Sequence, residues 1–287
     1  MAELTNVLTV SGVCKSYTDF ALKDVTFSLP KGYIMGFIGP NGAGKTTTLK
    51  SILGVITPER GQVILFGNSN TGGGNNNSQI GVVMDNPLYV AEWTLREAEL
   101  AISPFYANWD SGTFHSLLKR FNLDPRKKVK ELSRGMKVKL QFSAALSHDA
   151  SLLLLDEPTS GLDPAGRDEI CNLLREFVAS GERSVLFSTH ITSDLEKAAD
   201  FITFILNGEV VFTGTTDDLL CKYARVAGGE LTPEQRRYVI GFRPHGVGFE
   251  GLILSENAGK MPASAVVEKA SLEEIIIFAG KNGGENE

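Results

Sequence analysis

One segment restricts the fold of this chain more than any other. Gly39-Pro-Asn-Gly-Ala-Gly-Lys-Thr46 fits the pattern G-x-x-x-x-G-K-[ST] and lies between an apolar run, Tyr33 to Ile38, and a helical one, Lys45 to about Leu53. A strand that turns through glycines straight into a helix lets successive backbone N–H groups face one anion, with the positive end of the helix dipole behind them. Gly39, Pro40, Asn41, Gly42, Ala43 and Gly44 therefore read as a phosphate cradle, continued by Lys45, Thr46 and Thr47. In such a loop the lysine reaches the β- and γ-phosphates of a nucleotide and the Thr46 hydroxyl ligates Mg²⁺.

The rest of the chain supplies the sheet that this turn needs. Val7 to Val13 and Leu22 to Leu29 read as strands, and Leu152 to Leu155, four leucines in a row, suits a parallel strand buried on both faces. Ser184 to Ser188 reads likewise. Phe201 to Leu206 and Glu209 to Thr213 flank Asn207-Gly208, a type I′ hairpin signal that predicts an antiparallel ribbon at the sheet edge. Short apolar runs alternating with helices give an α/β fold class. Trp93 to Tyr106, Ser111 to Phe121 and Ser133 to His148 carry helical spacing, so residues 86–150 are expected to form an inserted helical subdomain. The expected core is then discontinuous, 1–85 and 151–216, with an antiparallel β subdomain. Residues 217–287 form a small α+β extension with a hairpin between Tyr238 and Leu254 and a helix from Ser271 to about Phe278. The polar stretch Thr71 to Ser78 is expected to be a surface loop.

A phosphate loop requires a carboxylate for its metal at the end of a neighbouring buried strand. Asp156 closes the leucine strand and fills that place, and Glu157 beside it has the chemistry to polarise an attacking water as general base.

Together with these, Leu132-Ser133-Arg134-Gly135-Met136, the run from Leu154-Leu155-Asp156-Glu157-Pro158 to Asp163-Pro164, and Ser188-Thr189-His190 resemble the signature, Walker B with D-loop, and switch-histidine motifs of ABC ATPases in their usual order. The resemblance covers roughly residues 4 to 220 and implies a P-loop NTPase core that binds ATP with Mg²⁺. It implies that Tyr17 stacks on adenine, that Ser133 and Gly135 bind the γ-phosphate of ATP held by a second copy, and that Asp163 couples the two sites. It implies too that His190 contacts the γ-phosphate and the attacking water. Two places depart from the family. Arg134 and Met136 stand where Gly and Gln are common, and Asp85 stands where Gln or Glu usually contacts Mg²⁺, a shorter reach that a water can bridge.

The resemblance extends to bacterial exporter cassettes with a short C-terminal domain. It implies a homodimer that works beneath separate transmembrane permease subunits, with the substrate (peptide, lipid or drug) set by those chains. An importer subunit, or an ABC ATPase acting as a nucleotide switch without a membrane partner, are the alternatives. Composition fits. The net charge of -6 and a pI of about 5.4 argue against nucleic acid as a partner. The basic run Arg126 to Lys130, with Arg134, Lys137 and Lys139, reads as a solvated helical face. Cys14, Cys171 and Cys221 offer no zinc spacing, and no apolar run reaches the length of a spanning helix. The expected location is cytoplasmic, peripheral to the inner face of the membrane.

Overall fold

The computed structural model describes residues 5–70, 78–85, 89–246 and 248–281. The first part of the chain runs β1 (Asn6–Ser16), β2 (Ala21–Pro30), β3 (Ile34–Ile38), α1 (Lys45–Ile52), β4 (Arg60–Leu65), β5 (Asn68–Ser69) and β6 (Ile80–Val83). Three helices follow, α2 (Leu95–Ile102), α3 (Ser111–Arg120) and α4 (Arg134–Ala145). The chain then returns through β7 (Leu152–Asp156), α5 (Pro164–Val178), β8 (Ser184–Thr189), α6 (Thr192–Ala198), β9 (Phe201–Leu206) and β10 (Glu209–Thr215). It ends with α7 (Thr216–Lys222), β11 (Tyr223–Gly228), α8 (Pro233–Arg236), β12 (Ile240–His245), β13 (Gly248–Leu254), β14 (Val266–Lys269) and α9 (Leu272–Lys281).

A six-stranded sheet in the order β10-β9-β3-β8-β7-β6 is the centre of the fold, and a four-stranded antiparallel sheet, β2-β1-β4-β5, packs beside it. Every central-sheet pair is parallel except β10 with β9, the edge ribbon turned by Asn207 and Gly208, both at positive φ as a type I′ turn requires. Side chains alternate between two cores because strand residues face opposite sides in turn. From β7, Leu153 and Leu155 enter the core shared with the helices, while Leu152 and Leu154 enter the one shared with β1, β2 and β4. Ile34 and Ile38 of β3 divide from Met35 and Phe37 in the same way. This double burial explains why these strands are apolar without interruption.

The helices between β6 and β7 are shorter than their periodicity suggests, and their ends have identifiable causes. Thr94 and Glu97 form a reciprocal cap that starts α2 at Leu95, and Pro104 sits in the 3₁₀ turn Ser103–Phe105 that ends it. Ser133 caps α4 from outside, so that helix starts one residue later than its apolar pattern. The tail forms the sheet β12-β13-β11-β14. Its α9 packs on α6, and Leu219, Leu272 and Ile275 join Leu195, Ala198 and Ile202 in one core. The expected loop from Thr71 lies, Ser78 apart, outside the described residues. The basic run is solvated but not an α-helical face: Arg126 and Lys127 lie exposed in a turn and Lys130 in the 3₁₀ turn Val129–Glu131, with Arg126 paired to Asp124, Lys128 and Lys130 to Glu92, and Lys139 of α4 to Glu169.

Candidate functional site

At the C-terminal ends of β3 and β7, where parallel sheets place their ligands, a cavity of about 420 Å³ is lined by Asn41, Gly42, Gly44, Lys45, Thr46 and Thr47 of the glycine turn together with Phe20, Asp85, Asp156 and Glu157; Gly39, Pro40 and Ala43 are not in the lining. A larger cleft, about 850 Å³, opens at the opposite end of the strands and is edged by the ion pairs Lys31–Glu182 and Arg183–Asp149. It contains none of the phosphate-loop residues, so chemistry rather than size selects the smaller cavity.

Gly44 makes the turn into α1 at φ 110°, and a side chain there would collide with Leu22 and Phe20. Lys45, only 7% exposed, folds its ammonium back to donate to the carbonyls of Gly39 at 2.7 Å and Pro40 at 3.3 Å, and it lies 3.7 Å from Glu157 Oε1. Burial pushes its pKa below the usual lysine value, against the pull of Glu157 and Asp156. The loop thus stores one cation whose interactions are all short-range and reversible.

Asp156 is held from both sides. Thr46 Oγ1 donates to its Oδ2 at 2.8 Å and Ser188 Oγ donates to its Oδ1 at 2.6 Å. The same Ser188 hydroxyl accepts from the backbone N–H of Glu157 at 3.0 Å. Glu157 has φ 51°, a conformation that costs a side-chain-bearing residue energy and persists only where neighbours fix it. Its carboxylate meets His190 Nδ1 at 2.7 Å. The structure therefore brings Lys45, Thr46, Asp156, Glu157 and His190 together. A hydroxyl and a buried carboxylate side by side are hard oxygen donors, a partial set that fits Mg²⁺ completed by phosphate oxygens and water. Among the described residues no group of three or more His, Cys, Asp or Glu side chains could hold a metal without them.

Of the remaining candidates, Ser133, Gly135, Asp163 and Tyr17 lie outside the lining. Ser133 Oγ accepts from Met136 N–H at 3.2 Å, and Gly135 sits so close to Leu162 that an added Cβ would stand 2.7 Å from its Cδ2. Neither lines the cavity. Asp163 caps α5 by accepting from Gly166 N–H at 2.9 Å. Asp85 does line the cavity, but its carboxylate is paired with Arg134. Tyr17 is 47% exposed and outside the lining, whereas the Phe20 ring reaches the turn.

Sequence reasoning missed Phe20, Ser188 and Gln141. Gln141 is buried on α4, and its amide both accepts from Met84 N–H and donates to Met84 C=O, each at 2.9 Å. Only the place of Ser188, two residues before His190 on a buried strand, gave a signal. Phe20 and Gln141 act through long-range packing.

The sequence pattern of the ABC transporter family matches residues 22–160. A Nod factor export ATP-binding protein I of Bradyrhizobium sp. is 33% identical over 82% of this chain and 79% of its own length. An uncharacterized ABC transporter ATP-binding protein of Nostoc sp. is 33% identical over 70% of this chain, which spans 61% of that longer relative. A solved structure, the ATP-binding subunit of an ABC transporter, superposes with a TM-score of 0.67 at 30% identity, over 74% of this chain and 91% of the other. With the phosphate loop, the buried Asp156 and the Glu157–His190 pair set in that shared fold, the chain belongs to the ATP-binding subunits of the ABC transporters, cassettes that bind and hydrolyse ATP.

Proposed function

We propose that two copies of this chain clasp two ATP molecules and that closing and reopening the pair drives export through separate transmembrane permease subunits. The observation that carries the reading is the separation of Ser133 and Gly135 from a cavity lined by Lys45, Thr46, Asp156 and Glu157, with His190 bonded to Glu157 beside it. One chain presents the hydrolytic half of a site, and the serine and glycine of its signature segment lie outside that half.

In this reading Gly39 to Thr47 cradle the phosphates, and Lys45 leaves the carbonyls of Gly39 and Pro40 for the β- and γ-phosphates. Tyr17 or the nearer Phe20 packs on the base. Thr46 and Asp156 hold Mg²⁺, with Asp85 at the rim, and the ion would neutralise charge on the phosphates. Glu157, oriented by its fixed backbone and by His190, takes the proton of the attacking water. His190 keeps the carboxylate aimed and reaches the γ-phosphate. Ser133 and Gly135 contact the ATP of the other copy, and Asp163 at the start of α5 links the two sites. Residues 1–85 and 151–216 act as the ATPase core, 86–150 as the helical arm carrying the signature, and 217–287 as an accessory domain.

Export is supported by the relative named for Nod factor export. No helix of the described residues is long and apolar enough to cross a membrane. A peripheral position on the cytoplasmic face, beneath chains that do the spanning, agrees with that. The test is purification from native membranes: a membrane protein that co-purifies with this chain and raises its ATPase rate supports the reading. A chain that stays free of membranes and hydrolyses ATP alone overturns the transport part while leaving the ATPase intact.

A further inference from the structure

Arg134, within the signature segment, reaches Asp85, a residue that lines its own chain's phosphate cavity. It occupies the first turn of α4, next to Ser133. Its Nη2 donates to Asp85 Oδ1 and, at 3.1 Å, to Ser160 Oγ. Its aliphatic stem crosses Gly161, where a built Cβ would stand 2.9 Å from Arg134 Cδ, and Gly161 itself has φ 81°. One cation therefore joins three segments: the signature, the Asp85 wall of the cavity, and the loop that leads from Glu157 to Asp163.

The pair is built to be exchanged. The side chains of Arg134 and Asp85 are 55% and 40% exposed, so water competes for both and the attraction is screened. Burial would have made the bond costly to form and costly to break. The two ends also differ in support. Gln141 grips both backbone groups of Met84 and so fixes the approach to Asp85, while Arg134 swings on a flexible side chain. The guanidinium is the moving part. A phosphate offers it a doubly charged, fork-shaped acceptor in place of one screened carboxylate.

We propose that Arg134 is a charge-exchange switch, held by Asp85 of its own chain until ATP bound to a second copy presents its γ-phosphate, when the guanidinium leaves the carboxylate for the phosphate. The inference rests on the reading that Ser133 and Gly135 act on the other copy's nucleotide. It adds a residue that binds that phosphate and a signal that returns to the cavity of its own chain, because Asp85 is freed as Arg134 leaves. Asp85 is thus a competitor of the dimer, and Arg134 a bond within it.

That opposition of sign is the test. In a Glu157→Gln background at saturating MgATP, sedimentation velocity measures the protein concentration at which half the chains are dimeric. Arg134→Gln should raise it about tenfold or more, and Asp85→Asn should lower it by about fivefold. The double substitution should behave like Arg134→Gln alone, since removing a competitor does nothing once the contested group is gone. Arg134→Lys should recover part of the loss. Both side chains are half exposed, so the variants are expected to fold, and saturating nucleotide separates dimer strength from ATP affinity. If both single substitutions weaken the dimer, the pair is a structural brace and the exchange is wrong. An unchanged midpoint in Arg134→Gln also overturns it. If the Glu157→Gln parent binds MgATP yet stays monomeric, the reading in which the signature acts on a second copy fails, and the switch fails with it; that result is distinguishable because it appears before Arg134 is touched.

Discussion

The phosphate cavity and the signature segment share a chemistry, a helix start with small residues and a cation, but they differ in closure. In and beside the cavity Thr46, Asp156, Ser188, Glu157 and His190 satisfy one another at short range, Lys45 donates to the carbonyls of Gly39 and Pro40, and Lys45 and Asp156 are buried. At the signature the glycine is capped by Leu162 and the arginine is half in water. A site whose polar groups are mutually fixed is prepared for chemistry; one left open at the surface is prepared to meet something.

The largest expected effect breaks the closed region. Glu157→Gln keeps the shape of the side chain and removes its basicity, so hydrolysis should fall about 10²- to 10⁴-fold with ATP still bound. Phosphate release and nucleotide binding, measured on the same sample, check both halves; a turnover close to wild type would remove Glu157 from the role of base. Lys45→Ala should lower kcat by about 10²- to 10³-fold and weaken nucleotide binding as well, since a preorganised charge is lost from both ground and transition states.

Gly135→Ala probes the open region. The added methyl must displace only the Cδ2 end of the partly buried Leu162 side chain, and alanine favours a helix over glycine, so Tm should change little. ATP binding by the separate chain should be unchanged, and nucleotide-driven dimerisation weaker. Loss of ATP binding in this variant would mean that the two regions are not independent.

The smallest effect is in pH. Burial lowers the pKa of Lys45 from the ordinary value of 10.5, so its charge is lost at a lower pH than that of an exposed lysine. Nucleotide affinity should weaken as pH rises through that depressed value, by a few-fold, and Lys45→Arg should flatten the profile because guanidinium keeps its proton. The sign for stability is the reverse. Between the depressed pKa and 10.5 the unfolded chain holds more protons at this group than the folded one, so its contribution to stability rises with pH while ligand affinity falls. A profile identical in the Arg variant would assign the pH dependence to other groups.

Which parts were legible in sequence follows from how local the determinants are. Gly39 to Thr46, the four leucines before Asp156 and the Asn207-Gly208 turn each carry their signal within a few consecutive residues, and α/β with an edge ribbon could be read from them. Helix ends depended on single side chains: Thr94 and Ser133 as caps, Pro104 as terminator. The Arg134–Asp85 pair and the grip of Gln141 on Met84 join α4 to the end of β6 across the helical insertion. No periodicity or spacing encodes such a meeting. The basic run showed the same limit, since pattern alone does not reveal which acidic residues a fold will bring to it.

The position of β3 has a consequence for synthesis. This strand carries the glycine turn, yet its neighbours in the sheet are β8 and β9, which close with Leu206. A chain emerging from the ribosome has made its glycine turn long before it has made the strands that hold that turn in place. Parallel pairings at such sequence separation form late, because the intervening chain must be closed into a loop first. Nucleotide therefore meets no competent cavity until more than two-thirds of the 287 residues exist, and ATP stabilises the cassette only after the folding steps it could otherwise have guided.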